Sequence, residues 1–315
     1  MLNGNQNSRY GAIARYLPPT LGKVFFVTHA DNANLNSLLT EFPTDSDGVP
    51  RVYQTVDAAA TDNLAVQAAL DATVAGRNDY VIIMPGNGND YDLGAVLTMT
   101  KNDVHLVTLE SLTAPDSRIG CSRQVVLEQT ASADVVNITG MNCEFAGFYI
   151  KPYANKTSIA TSSNPHGYNI HHNMIYMTVS TTMTEYVIDC HTDSSGIYGR
   201  IANNWFTSQS GTCAGCIMVG TSATGNHITR NMIVVGDSAT LTAGIYAGGY
   251  KGLCDYNTVS EMDGGGAGGT ITMGFENSGS VMNRNIANIA NDDDFTSAGT
   301  NDYVANWCGA INKLT

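Results

Sequence analysis

Residues 185–193, Glu-Tyr-Val-Ile-Asp-Cys-His-Thr-Asp, set four polar titratable groups at alternating positions. Read as a strand, the segment turns Tyr186, Ile188 and Cys190 inward and lines Glu185, Asp189, His191 and Asp193 along the outside. Acid–base hydrolysis of a glycosidic bond needs two carboxyls about 5 Å or about 6.5–9.5 Å apart. Residues i and i+4 of one strand lie roughly 13 Å apart, so a partner from a strand ~4.8 Å away must complete the pair. If the chain is an enzyme, Asp189, His191 and Asp193 are its catalytic candidates; otherwise they form a solvated face. Cys213-Ala-Gly-Cys216 has metal-knuckle spacing without a second pair, so inward packing is expected. His171 and His172 are strand neighbours that should point to opposite faces and share no ion. Asp292-Asp-Asp294 and Thr44-Asp-Ser-Asp-Gly48 read as turns, the latter lacking the later ligands of a calcium loop. No metal and no cofactor is expected.

The elements that must position these groups announce themselves as a repeat. Ile170-His-His-Asn173, Ile201-Ala-Asn-Asn204, Ile228-Thr-Arg-Asn231, Cys254-Asp-Tyr-Asn257 and Met282-Asn-Arg-Asn285 each place an asparagine three residues after an apolar one. The asparagines are 31, 27, 26 and 28 residues apart, and Tyr303-Val-Ala-Asn306 follows after 21. A loose period with a fixed polar residue marks a stacked array. Short strands of this size predict an all-β, single-stranded, right-handed parallel β-helix. Asn173, Asn204, Asn231, Asn257 and Asn285 should form a ladder at one edge, each amide bonding the next. Asn is expected to take the left-handed conformation at the turn. Trp205 and Trp307, each just after a ladder asparagine, should pack.

Composition fits this fold. Hydrophobic residues make up 43 %, charged residues only 14 %, and there are 32 glycines, the balance of a chain with a continuous core and many tight turns. The net charge of −13 argues against nucleic acid and anionic membrane as partners, and against a polyanionic ligand unless a local basic site exists. No run of 18 apolar residues offers a membrane span. No basic segment followed by an apolar stretch opens the chain, so no secretory signal is expected. Seven cysteines, an odd number, then suit reduced, buried thiols.

Along the chain, residues 1–22 read as an N-terminal anchoring arm. Arg9 and Arg15 stand among Tyr10, Ile13, Tyr16 and Leu17 with no carboxylate, whereas all 28 acidic residues lie beyond. Residues 23–79 supply a first strand, a loop to about residue 50 and a helix over 56–75. Asp62 should cap that helix, Val66, Leu70 and Val74 should face inward, and Gly76 should end it. Its role would be to cover the open end of the solenoid. Residues 80–315 should form the β-helix itself.

Lys23-Val-Phe-Phe-Val27, the Asp45-Ser-Asp-Gly-Val49 loop, the Ala-rich helix and Tyr80-Val-Ile-Ile-Met-Pro-Gly86, in this order, resemble tailed-phage proteins of the pectate-lyase-like β-helix group. Thr98–Val107 and the turn at Ser117-Arg-Ile-Gly120 extend the resemblance over residues 22–150. It implies a non-enzymatic virion protein, made in the bacterial cytoplasm and displayed on the particle surface as capsid decoration. Its partners would be the major capsid protein or another virion protein, bound through the arm. Copies of itself, as a homotrimer, would match three-fold positions of a capsid. The alternative is a tailspike-type β-helix that binds or depolymerises bacterial surface polysaccharide. The arginine motif of pectate lyases and the carboxylate series of polygalacturonases are not present.

Overall fold

A computed structural model describes residues 22–56, 60–86, 90–109, 125–163, 165–190, 197–249, 251–261, 270–289, 295–297, 303–304 and 306–308. Three parallel sheets wind into a β-solenoid of about eight turns, as the repeat predicts. The first sheet has eleven strands, from Val52–Thr55, Val24–His29 and Asp79–Ile83 at one end to Val281–Asn283 and Tyr303–Val304 at the other. Fourteen further strands form the second and third sheets. Three long strands, Met174–Cys190, Trp205–Val219 and Met232–Gly248, run through both.

Register explains the core. Phe25, Val81, Leu106, Phe145, Ile170, Ile201, Ile228, Cys254 and Met282 are successive partners across the first sheet. All nine are buried. They include the apolar residue of each Φ-x-x-Asn motif, so the motif records one inward stack. Burying each such side chain contributes about 1.5–3 kcal/mol.

Two helices attach to this body. Helix α1 (Leu35–Glu41), inside the stretch expected to be loop, buries Leu38 on the outside of the first sheet against Phe26, Ile82, Val107 and Ala146. Helix α2 (Asp62–Ala72) is shorter than the 56–75 span expected. Val66, Ala69 and Leu70 enter the main core, and its polar side chains bond the free edges of the first strands of the other two sheets. Asp62 accepts from the Asp92 amide at 2.8 Å, Asn63 from Gly94 at 3.2 Å, and Gln67 from Thr98 at 2.9 Å. The Gln67 amide also donates to the Thr98 carbonyl at 3.2 Å. The end cap is thus apolar and hydrogen-bonded at once, which removes an exposed strand edge. Two details differ from expectation. Thr61 holds the cap position and Asp62, the first helical residue, accepts from the Asp92 strand, and Thr73, donating to the Leu70 carbonyl, closes the helix ahead of Gly76. Val74 is 48 % exposed, because the helix ends before it.

Candidate functional site on the outer face of the first sheet

The corner that leaves the first sheet is built on the asparagine ladder. Asn173 donates its side-chain amide to Asn204 Oδ1 at 3.1 Å, Asn204 to Asn231 at 2.9 Å, Asn231 to Asn257 at 3.0 Å, Asn257 to Asn285 at 3.0 Å and Asn285 to Asn306 at 3.2 Å. The second amide hydrogen goes to the apolar motif residue one coil earlier, as from Asn204 to the Ile170 carbonyl and from Asn231 to the Ile201 carbonyl. Each Oδ1 also accepts the backbone N–H of the preceding rung, for example Asn204 N–H onto Asn231. From Asn204 to Asn285, all four bonds that a carboxamide can make are therefore used. The first rung bonds the Phe148 amide, so an aromatic residue holds the equivalent place one coil earlier.

The left-handed residue is not the ladder asparagine but the one before it. Gly147, His172, Asn203, Arg230, Tyr256 and Arg284 have φ of 92°, 54°, 56°, 54°, 54° and 53°. This corrects the turn chemistry expected for Asn. The inward amide fixes the bend, and its neighbour takes the strained dihedral; that neighbour is exposed at Arg230, Tyr256 and Arg284 and buried at His172 and Asn203.

Residues just before the apolar stack form an outward row: Tyr80, His105, Glu144, Asn169, Arg200 and His227 are register partners on consecutive strands. The N-terminal part of this row is closed on itself. Tyr80 stacks on His105, with centroids 4.1 Å apart. His105 bonds Glu144 Oε2 at 2.7 Å and Asn78 Oδ1 at 2.6 Å, and His171 bonds Glu144 Oε1 at 2.7 Å. Burial alone would raise the Glu144 carboxyl, but the two imidazole bonds outweigh it and hold it down to about 2. With both oxygens occupied, Glu144 orients histidines and is not placed to take a proton from a ligand. His171 and His172 touch through their Nδ1 atoms at 2.7 Å, against the expected opposite faces, because the left-handed His172 breaks strand alternation.

Further along, the face opens. His227, with 38 % of its side chain exposed, sits beside Asp255, Nε2 to Oδ1 at 2.8 Å. Burial pushes the Asp255 carboxyl up, but bonds from His227 and Thr229 prevail and keep it below its usual value. Asp255 thereby fixes the orientation of the His227 ring through Nε2. Arg200 lies on the adjacent strand. At the corner beside them Arg230, Tyr256 and Arg284 are exposed, and Arg284 lies over the Tyr256 ring, 5.5 Å from its centroid, and bonds its hydroxyl. An oriented imidazole, three guanidiniums and an aromatic face can together hold a polar polymer by charge, hydrogen bonding and stacking.

The other expected residues lie elsewhere. Asp189 is on the third-sheet half of its strand. Asp134 is pushed up by burial and then by Glu185 and Asp189, which makes this an acidic face. His191, Asp193, residues 292–294 and the arm with Arg9, Tyr10, Ile13, Arg15, Tyr16 and Leu17 fall outside the described residues. Cys213 and Cys216 are buried and free, and burial pushes the Cys213 thiol up to about 12. Trp307 is 61 % exposed rather than packed, whereas Trp205 at the same register position is half-buried. The Thr44–Gly48 stretch is a turn in which Asp45 accepts from the Asp47 and Val49 amides and pairs with Lys23. Among the described residues no group of His, Cys, Asp and Glu could hold a metal ion, and no helix is long and apolar enough to cross a membrane.

Comparison with known proteins adds one likeness. No protein-family profile and no curated protein matches the sequence. Among solved structures, the crystal structure of alginate lyase from Paenibacillus sp. str. FPU-7 is similar, at 11 % identity and a TM-score of 0.35. The match covers 80 % of this chain and 98 % of that one.

The outward row escaped the sequence reading, although a signal for it exists. Aligned on Φ-x-x-Asn, the residue before each Φ is Asn169, Arg200, His227, Leu253 and Val281.

Proposed function

We propose that this chain is a rigid recognition body on the surface of a phage particle, and that it binds polysaccharide along the outer face of its first sheet. The observation that carries the binding reading is the row Arg200–His227 with Asp255 beside it, continued by Arg230, Tyr256 and Arg284 at the corner. The side chains repeat at one-coil intervals of ~4.8 Å, so the surface suits an extended polymer better than a compact ligand. Binding rather than cleavage is favoured because Glu144 has both oxygens committed and Asp255 is tied to His227. The particle location rests on the resemblance over residues 22–150. Strand, Asp45 turn, helix α2 and the Asp79–Ile83 strand follow one another in the order that group shows. Residues 1–22 would attach the body to the capsid and trimerisation would match its three-fold sites.

The test is titration of the full chain against a panel of neutral and charged bacterial polysaccharides, with viscosity followed in parallel. Binding to at least one polymer, weakened in Arg200→Ala and His227→Ala, with viscosity unchanged, is the expected result. Loss of viscosity that disappears in His227→Ala would replace this reading with a depolymerase. Binding to no polymer would overturn it. Deletion of residues 1–22 should leave the fold intact and remove the protein from particles.

A further inference from the structure

Charge is segregated around the solenoid. Between residues 167 and 310 the chain has only four basic residues, Arg200, Arg230, Lys251 and Arg284. All four lie on the first sheet or its margins. Arg200 is on the outer face, Arg230 and Arg284 are at the corner that leaves the sheet, and Lys251 is left-handed and exposed at the corner that enters it. Among the described residues the carboxylates of the same coils lie mostly elsewhere, Asp237 being on the strand Met232–Gly248 that runs through the second and third sheets. Glu185, Asp189 and Glu276 are on the third sheet, and Glu261 is buried, bonded to the Ile271 amide. Asp255 is the described exception on the first sheet, and its Oδ1 is hydrogen-bonded to His227 Nε2. In a chain of net charge −13, one strip therefore carries the reverse sign among the described residues.

The corner shows a second regularity. Arg230, Tyr256 and Arg284 occupy one position on three consecutive coils, so the backbones of the two arginines stand two coils, roughly 10 Å, apart, with the Arg284 guanidinium reaching back over the Tyr256 ring between them. Each holds φ near 54°, where a glycine such as Gly147 would sit without strain. Two guanidiniums on alternate coils can pair with two anionic groups of a linear polymer, and Tyr256 holds the Arg284 guanidinium in place.

From this we infer, resting on the polysaccharide reading above, that the ligand is acidic. Carboxylate or sulfate groups would be held by Arg230 and Arg284, with Arg200 as a third contact. The long-range field of the chain repels such a polymer, so attraction acts only at short range, within the ~10 Å over which charges are felt at 0.1 M salt.

The experiment uses one backbone in three charge states: dextran, carboxymethyl-dextran and dextran sulfate, titrated against the full chain, with double-stranded DNA as a further polyanion. The two acidic dextrans should bind at least about tenfold more tightly than dextran, a difference that higher salt reduces. The double variant Arg230→Gln/Arg284→Gln should abolish that preference. Lys156→Gln, remote from the strip, should leave it unchanged, and thermal melts should show that all variants fold. Equal binding of the neutral and acidic dextrans, or an unchanged preference in the double variant, would overturn the acidic assignment while the polysaccharide reading stands. Binding of DNA as tight as that of the acidic dextrans would overturn it in favour of unspecific polyanion attraction. Failure of every polysaccharide, including the panel above, would sink both.

Discussion

Two adjacent positions of one corner obey opposite rules. On the inside, Asn173, Asn204, Asn231, Asn257 and Asn285 are the same residue in the same bonds. One residue earlier stand Gly147, His172, Asn203, Arg230, Tyr256 and Arg284, no two neighbouring coils alike, buried at His172 and Asn203 and exposed from Arg230 onward. The inner side chain is sealed from water and must satisfy every donor and acceptor from within the stack, which leaves one solution. The earlier position must only tolerate a left-handed backbone, so its chemistry is free to vary. Repetition thus marks where the fold is held, and variation marks where it can meet a ligand.

The largest effect should come from breaking the inside. Asn231→Ala removes the acceptor of the Asn204 amide and backbone N–H and the donor to the Ile201 carbonyl and Asn257. With buried unpaired groups costing about 1–3 kcal/mol each, partly relieved by relaxation, a loss of about 3 kcal/mol in denaturant unfolding is expected. A loss below about 1 kcal/mol would mean the ladder is not what holds the corner.

Acid should be next. Glu144 is ordinarily near 4.5 but is held down to about 2 in the fold, so its contribution is complete above pH 4.5 and is lost as pH falls toward 2. Stability measured across that window should drop by no more than about 3 kcal/mol for this group. The acid limb of Glu144→Gln should be correspondingly flatter; an equally steep limb would place acid sensitivity elsewhere.

The left-handed position offers changes of the opposite sign. Both amide atoms of Asn203, 1 % exposed, are buried without a hydrogen bond. Asn203→Gly should therefore raise stability by about 1 kcal/mol, since it removes an unsatisfied group and suits the dihedral. Arg230→Gly should stabilise less, by up to about 1 kcal/mol, because relief of the left-handed strain is offset by glycine's backbone entropy. The same change should weaken acidic-dextran binding, so a melt and a titration should move in opposite directions. Destabilisation by both glycine variants would show that the side chains at this position hold the corner after all.

The sequence made the inside legible and the outside much less so. Φ-x-x-Asn is a local pattern, since the apolar stack and the ladder lie within four residues of each other. The left-handed residue was misplaced by one because two adjacent positions share the same repeat, and only the dihedrals separate them. His105, Glu144 and His171 meet across 39 and 27 residues. Rung spacings run from 21 to 31, so no fixed count brings such residues together. The gathering of Arg200, Arg230 and Arg284 on one strip is hidden in the same way. The helix was legible from its apolar spacing, but its bonds to Asp92, Gly94 and Thr98 were not, because nothing local to Asp62, Asn63 or Gln67 names their partners.

The unequal rung spacing has a consequence for how such a chain can change. The ladder sets a constant pitch while the length of chain between rungs varies by as much as ten residues, from 21 to 31. Residues can therefore be gained or lost away from the rungs without shifting any amide out of line. A change that adds or removes a rung must bring a whole coil with it. The molecule is expected to lengthen in steps but diversify continuously: peptides grafted between rungs should be tolerated, and one-residue insertions between Φ and Asn should not.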